Sequence, residues 1–161
     1  MPTRIAGGWD IPVGDGGVAI EGVGHPLVFA VGSGISITIE GNVLLSVHDR
    51  TRELEPSSED VADALERAGV VTGLRVLDSG RLEIGFDSGT RLSVPPAEDY
   101  ESFQLYEVGP QLLGWPKAPD GIAARWDDNY AGSMIGGSLT DQFIFIGRPG
   151  GGISSYSTLS D

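Results

Sequence analysis

Ile35, Ile37 and Ile39 alternate with Ser36, Thr38 and Glu40. In an extended chain that alternation puts the isoleucines on one face and the polar side chains on the other. Leu82, Ile84 and Phe86 repeat the pattern, as do Leu92 and Val94. The two regions share a plan, over 31–47 and again over 77–94: a Ser-Gly turn, an alternating strand, a second glycine, then a strand ending Leu-Leu-Ser-Val or Leu-Ser-Val. This predicts one β-hairpin written twice.

The pattern changes period once. From about 57 to 68, Val61, Ala64, Leu65 and Ala68 fall on one helical stripe, with Ser57 or Ser58 as cap, Glu59 and Asp60 at the positive end of the dipole, and Gly69 as the stop. Strands are predicted at 18–20, 27–31 and 70–77, and again from Tyr100 to Glu107 with aromatic residues on both faces. Pro95-Pro96 separates that last strand from the second hairpin, since neither proline donates to a ladder. Shorter strands are predicted at 111–115, 122–126 and 142–146. Residues 1–16 read as a loose, glycine-rich lead-in and 150–161 as a flexible tail. The whole predicts one α+β domain over 1–161, mainly β: an antiparallel sheet forming a sandwich or partly open barrel built from the two repeated hairpins, with one helix packed on a side.

Composition agrees with short strands and many turns. The 161 residues suffice for one core, and 25 glycines with 10 prolines suit turns better than long helices. No cysteine is present, which removes disulfides and thiolate chemistry and leaves the cytoplasm as the expected compartment. No apolar run approaches the roughly 18 residues of a membrane helix, and no leader pattern opens the chain, so a soluble, unprocessed protein is expected.

Charge narrows the partners. The formal net charge is −13, a field that repels phosphate backbones and anionic membranes, so neither nucleic acid nor membrane is an expected partner. Residues 40–66 and 98–107 supply most of it, the first with Glu40, Asp49, Glu53 and five further acids, the second with Glu98, Asp99, Glu101 and Glu107.

Catalytic motifs are sparse. His25 and His48 are the two histidines, no Gly-x-Ser-x-Gly elbow occurs, and no metal-ligand spacing links the histidines to carboxylates. The glycine clusters at 14–17, 32–34 and 150–152 lack the Gly-Lys-Ser/Thr ending of a phosphate loop and read as turns. Asp127-Asp128-Asn129 with Asp120 offers oxygen ligands but not the spacing of an EF-hand loop. In an extended segment Asp99 and Glu101 project from one face and Glu98 and Tyr100 from the other, roughly 6.5–7 Å apart per pair, a separation that glycosidases use. Trp9, Trp115 and Trp126 are expected in the core rather than at a binding surface. No catalytic residue, cofactor or metal is assigned on this reading.

The run from Gly80 to Trp126 resembles an uncharacterised family of small actinobacterial proteins, a domain of unknown function. Gly80, Leu82, Ile84, Phe86, Gly89, Leu92, Val94 and Pro96 stand at its hairpin positions, followed by Tyr100, Glu101, Phe103, Gly109, Pro110 and Trp126. Ser88 stands where that family usually has aspartate, Phe103 where it has tryptophan, and Pro119-Asp120-Gly121 where it has Pro-Gly-Gly. Proteins of this kind are similar to the immunity proteins that accompany secreted polymorphic toxins. The resemblance implies a β-rich fold, and with the charge it leads to an expected function: a non-enzymatic antitoxin that blocks a toxin's basic cleft, with Asp60, Asp63, Glu66, Glu98, Asp99 and Glu101 as contacts. Two alternatives stay open, a small hydrolase or carbohydrate-active enzyme using Asp99, Glu101 or Asp127, and a self-assembling module or weak homo-oligomer joined through Phe143–Ile146.

Overall fold

Alternation governs the interior. In the computed structural model, which describes residues 2–32, 34–107 and 143–157, Leu27, Phe29 and Val31 of one strand and Ile35, Ile37 and Ile39 of the next are all buried while the residues alternating with them in each strand are not. The described residues run β1 (Thr3–Ile5), β2 (Gly8–Asp10), β3 (Val18–Gly22), β4 (Leu27–Val31), β5 (Ile35–Ile39), β6 (Val43–Val47), β7 (Arg50–Leu54), α1 (Glu59–Arg67), β8 (Val71–Leu77), β9 (Leu82–Phe86), β10 (Arg91–Val94), β11 (Phe103–Glu107), β12 (Phe143–Gly147) and β13 (Ile153–Ser157).

These strands form two antiparallel sheets, ordered β1-β2-β8-β9-β10-β6-β7 and β13-β12-β11-β5-β4-β3. Their inner faces share one core. Leu74, Val76, Leu82, Ile84, Leu92 and Val94 from the first pack with the β4 and β5 side chains, Phe103 and Leu105 from the second. The fold is therefore the mainly β, two-sheet arrangement with one helix, and it does not close into a barrel. Trp9 on β2 ties the sheets together, its ring 5.7 Å from that of Phe145 on β12. The Arg4 guanidinium lies 5.4 Å from the Trp9 ring and pairs bidentately with Asp78.

Helix α1 fills the opening between the two sheet edges β3 and β7. It touches β3, and Arg52 of β7 grips its Asp60 at 2.8 Å. Ser58 caps it by accepting from the Asp60 N–H at 3.2 Å. Val61, Leu65 and Ala68 enter the core, the first two contributing on the order of 1.5–3 kcal/mol each.

Several expectations need correction. The second repeat closes as a hairpin, β9 to β10, around a turn in which Ser88 Oγ accepts from the Thr90 N–H at 3.3 Å. The first repeat does not close: β5 stays in one sheet and β6 crosses to the other. The divergence has a local cause, because the N–H groups of Glu40 and Gly41 donate to the Ser102 carbonyl, at 2.9 and 3.0 Å, and steer the chain away from β5. Strand β6 then pairs with β10, so the final strands of the two copies lie side by side.

Residues 1–16 are not merely a lead-in, since β1 and β2 extend the seven-stranded sheet, and 153–157 of the expected tail form the edge strand β13. The strand expected from Tyr100 begins at Phe103, with residues 98–100 in a bend. Phe143–Ile146 lies within β12, an internal strand paired on both edges by β11 and β13 of the same chain and buried on both faces. The strands expected at 111–115 and 122–126, with Trp115 and Trp126, lie outside the described residues.

Candidate functional site

The carboxylates singled out from the sequence occupy two places, separated by the length of β9 and β10. Thr90 ends the turn at one end of this strand pair. At the other end Val94, paired with Leu82, leads through Pro95-Pro96 to the acidic loop. A four-residue strand spans about 13 Å, so the two groups form separate patches.

The first patch belongs to α1. Asp60, Asp63 and Glu66 are all exposed, because the helical period that buries Val61 and Leu65 turns them outward. Asp60 is engaged by Arg52. Asp63 stands on the wall of an open cleft of about 800 Å³, facing the His48-Asp49 turn between β6 and β7 and the Ser88–Thr90 turn, over Leu45 and Val47. Glu66 does not line this cleft. Sequence reasoning missed the grouping of Asp63 and Arg67 with His48 and Asp49, since the two pairs come from separate elements, α1 and the β6–β7 turn. A backbone sign accompanies it: His48 and Asp49 have φ of 51° and 67°, the paired left-handed conformation of a two-residue hairpin turn that glycine and asparagine adopt most readily. His25 lies elsewhere, its Nε2 3.4 Å from Glu55.

The second patch is the loop carrying Glu98, Asp99 and Glu101, fixed at both ends by main-chain bonds. The Gly150 N–H donates to the Ala97 carbonyl at 2.7 Å, and the Ser102 N–H donates to the Gly147 carbonyl at 3.3 Å. Between the anchors Glu98, Asp99 and Tyr100 are exposed, Tyr100 at 46 %, one of the few large apolar side chains so open to solvent among the described residues.

Glu101 turns inward instead and accepts from Gln104 Nε2 at 3.1 Å. Burial raises its pKa above the ordinary carboxylate value, the Gln104 hydrogen bond works against that shift, and the charge of Glu40 adds to it. Because 98–100 bend, the extended geometry expected to place Asp99 and Glu101 on one face is absent. Beside them Ser102 is fully buried and its Oγ has no hydrogen-bond partner among the described residues.

Other candidates resolve simply. Gly16 and Gly32 lie where a Cβ would strike the carbonyl oxygens of Val71 and Val13, so these glycines serve close backbone approach. Among the described residues no three histidine or carboxylate side chains converge to hold a metal ion, and no helix is long and apolar enough to cross a membrane. Asp120, Asp127, Asp128 and Asn129 lie outside the described residues, as do Gly109 and Pro110.

The fold and these patches define a two-sheet β protein that displays carboxylates on a helix and on an anchored loop. The chain belongs to a family of unknown function, DUF6188, whose model matches residues 9–113, from within β2 past β11 and including both patches. No curated protein and no solved structure matches it.

Proposed function

We propose that this protein is a non-enzymatic immunity protein: it binds a cognate toxin through its acidic surface and covers a basic cleft on that partner. The observation that carries the reading is the loop from Glu98 to Glu101. Two exposed carboxylates, Glu98 and Asp99, directly precede an exposed tyrosine on a segment pinned at both ends, so little conformational freedom is lost on binding. Tyrosine is a frequent anchor at interfaces, and carboxylates around it select a cationic partner and speed encounter. Asp63 and Glu66 on α1 add a second acidic contact region, whereas Asp60 is already paired. The overall charge of −13 supports the same partner chemistry.

Co-expression with the proposed cognate toxin tests the reading. Survival is expected with the wild-type chain and loss of survival with Glu98→Lys, Asp99→Lys; equal killing with and without the wild-type chain refutes it. The enzyme reading is favoured by one observation, the burial that raises the Glu101 pKa. It requires that Glu101→Gln abolish a measurable hydrolysis, whereas the binding reading leaves neutralisation intact in that variant.

A further inference from the structure

The outer face of the seven-stranded sheet carries a second feature, unrelated to the acidic patches. Cross-strand pairing sets Gly73, Gly85, Arg91 and Ser46 side by side on β8, β9, β10 and β6. In the neighbouring row stand Arg75, Glu83 and Ser93. An open groove of about 440 Å³ lies over these residues.

Gly73 follows the bulge at Val71–Gly73 of β8, whereas Gly85 lies in the regular part of β9 with no such place in the fold. Both lack a positive φ, and a Cβ on either would meet nothing within 4 Å. Glycine inside a strand is unfavourable, and one reason for its presence is close approach of an outside group to the backbone. Two such glycines facing each other on adjacent inner strands leave peptide planes bare at the floor of the groove.

Arg91 rises at the edge of that floor. It is exposed and makes no hydrogen bond or ion pair with any described residue, although the chain holds 23 acidic side chains against 10 basic ones. By contrast, Arg75 lies 3.7 Å from Asp10 and Arg81 donates to Ser93 at 2.8 Å. An unpaired guanidinium beside a concave surface suits a carboxylate or phosphate, which it can hold through two parallel bonds.

We infer that this groove binds a small anionic ligand with a flat ring, the ring resting on the Gly73 and Gly85 peptide planes and the anionic group on Arg91. The volume falls within the range of small-molecule sites. Ser46 and Ser93 supply hydroxyls at the rim, although each already bonds Thr51 or Arg81.

The test is an NMR titration of the full chain with phenyl phosphate and benzoate, against benzyl alcohol and inorganic phosphate as controls. Both anionic rings are expected to shift the Gly73 and Gly85 amide signals and the Arg91 Nε signal, and both controls to leave them in place. Arg91→Ala is expected to weaken binding roughly tenfold or more, the loss of a charge-assisted pair. Gly85→Val is expected to block binding while its melting temperature equals or exceeds that of wild type, which separates occlusion from misfolding. Three results each overturn the inference: no shift at roughly 10 mM of either anionic ring, weaker than specific sites bind; equal shifts with inorganic phosphate; or a Gly85→Val protein that melts well below wild type.

Discussion

Removing the Ser102 hydroxyl is expected to stabilise the protein. The side chain is 0 % exposed and its Oγ has no partner among the described residues, while its N–H and carbonyl are occupied by Gly147, Glu40 and Gly41. A buried polar group left unpaired costs about 1–3 kcal/mol. Ser102→Ala removes that cost and keeps both main-chain anchors and the Cβ that faces Gly41. The loss is the dispersion contact of one oxygen, a few tenths of a kcal/mol by the usual ~0.1–0.2 kcal/mol per atom pair. A net gain of about 1 kcal/mol follows. For 161 residues at ~2.1 cal/mol/K per residue, the unfolding entropy is about 0.34 kcal/mol/K, so the melting temperature rises about 3 °C. Thermal and urea unfolding followed by circular dichroism measure it, with the urea slope unchanged. A variant less stable than wild type by more than about 0.5 kcal/mol refutes the reasoning, because the hydroxyl must then be satisfied.

Three further outcomes are expected. Leu65→Asp places an unpaired carboxylate where α1 seals the gap between the sheets, and loses about 4 kcal/mol or more in urea unfolding; a near-wild-type midpoint contradicts the packing of the helix. Asp49→Gly relieves a left-handed non-glycine residue in the β6–β7 turn and gains about 0.5 kcal/mol or more, read as a higher melting temperature. Glu101 has a folded pKa raised above its ordinary 4.5, so the folded state binds its proton more tightly than the unfolded chain. The associated stability is present at low pH and is lost as pH rises from 4.5 through the folded value. Glu101→Gln is therefore expected to gain stability relative to wild type in passing from pH 4 to pH 7, and a constant difference across that range contradicts it.

Strands with one buried face were legible in the sequence. β4, β5 and β9 bury every second residue, and the same alternation is written in Leu27, Phe29, Val31 and in Leu82, Ile84, Phe86. Strand β7 was not, because Arg50, Thr51, Arg52 and Glu53 are all exposed on an edge whose charges discourage pairing with other chains. The parting of β5 from β6 was hidden for another reason. Its two steering bonds end on Ser102, far along the chain, while the local sequence matches a closed hairpin. The acidic loop was legible from charge alone. Its anchoring depends on Gly147 and Gly150, and the cleft around Asp63 on turns distant in sequence, so neither had a local signal.

The central claim is that the anchored acidic loop recognises a cationic protein. Stopped-flow association with the proposed cognate toxin tests it most directly, comparing wild type with Glu98→Lys, Asp99→Lys, Tyr100→Ala at low and high salt. The account predicts a wild-type association rate that falls steeply with salt, as screening of opposite charges requires. It also predicts a triple variant that melts like wild type but associates at least tenfold more slowly and no longer neutralises the toxin. A triple variant that associates and neutralises as well as wild type contradicts it.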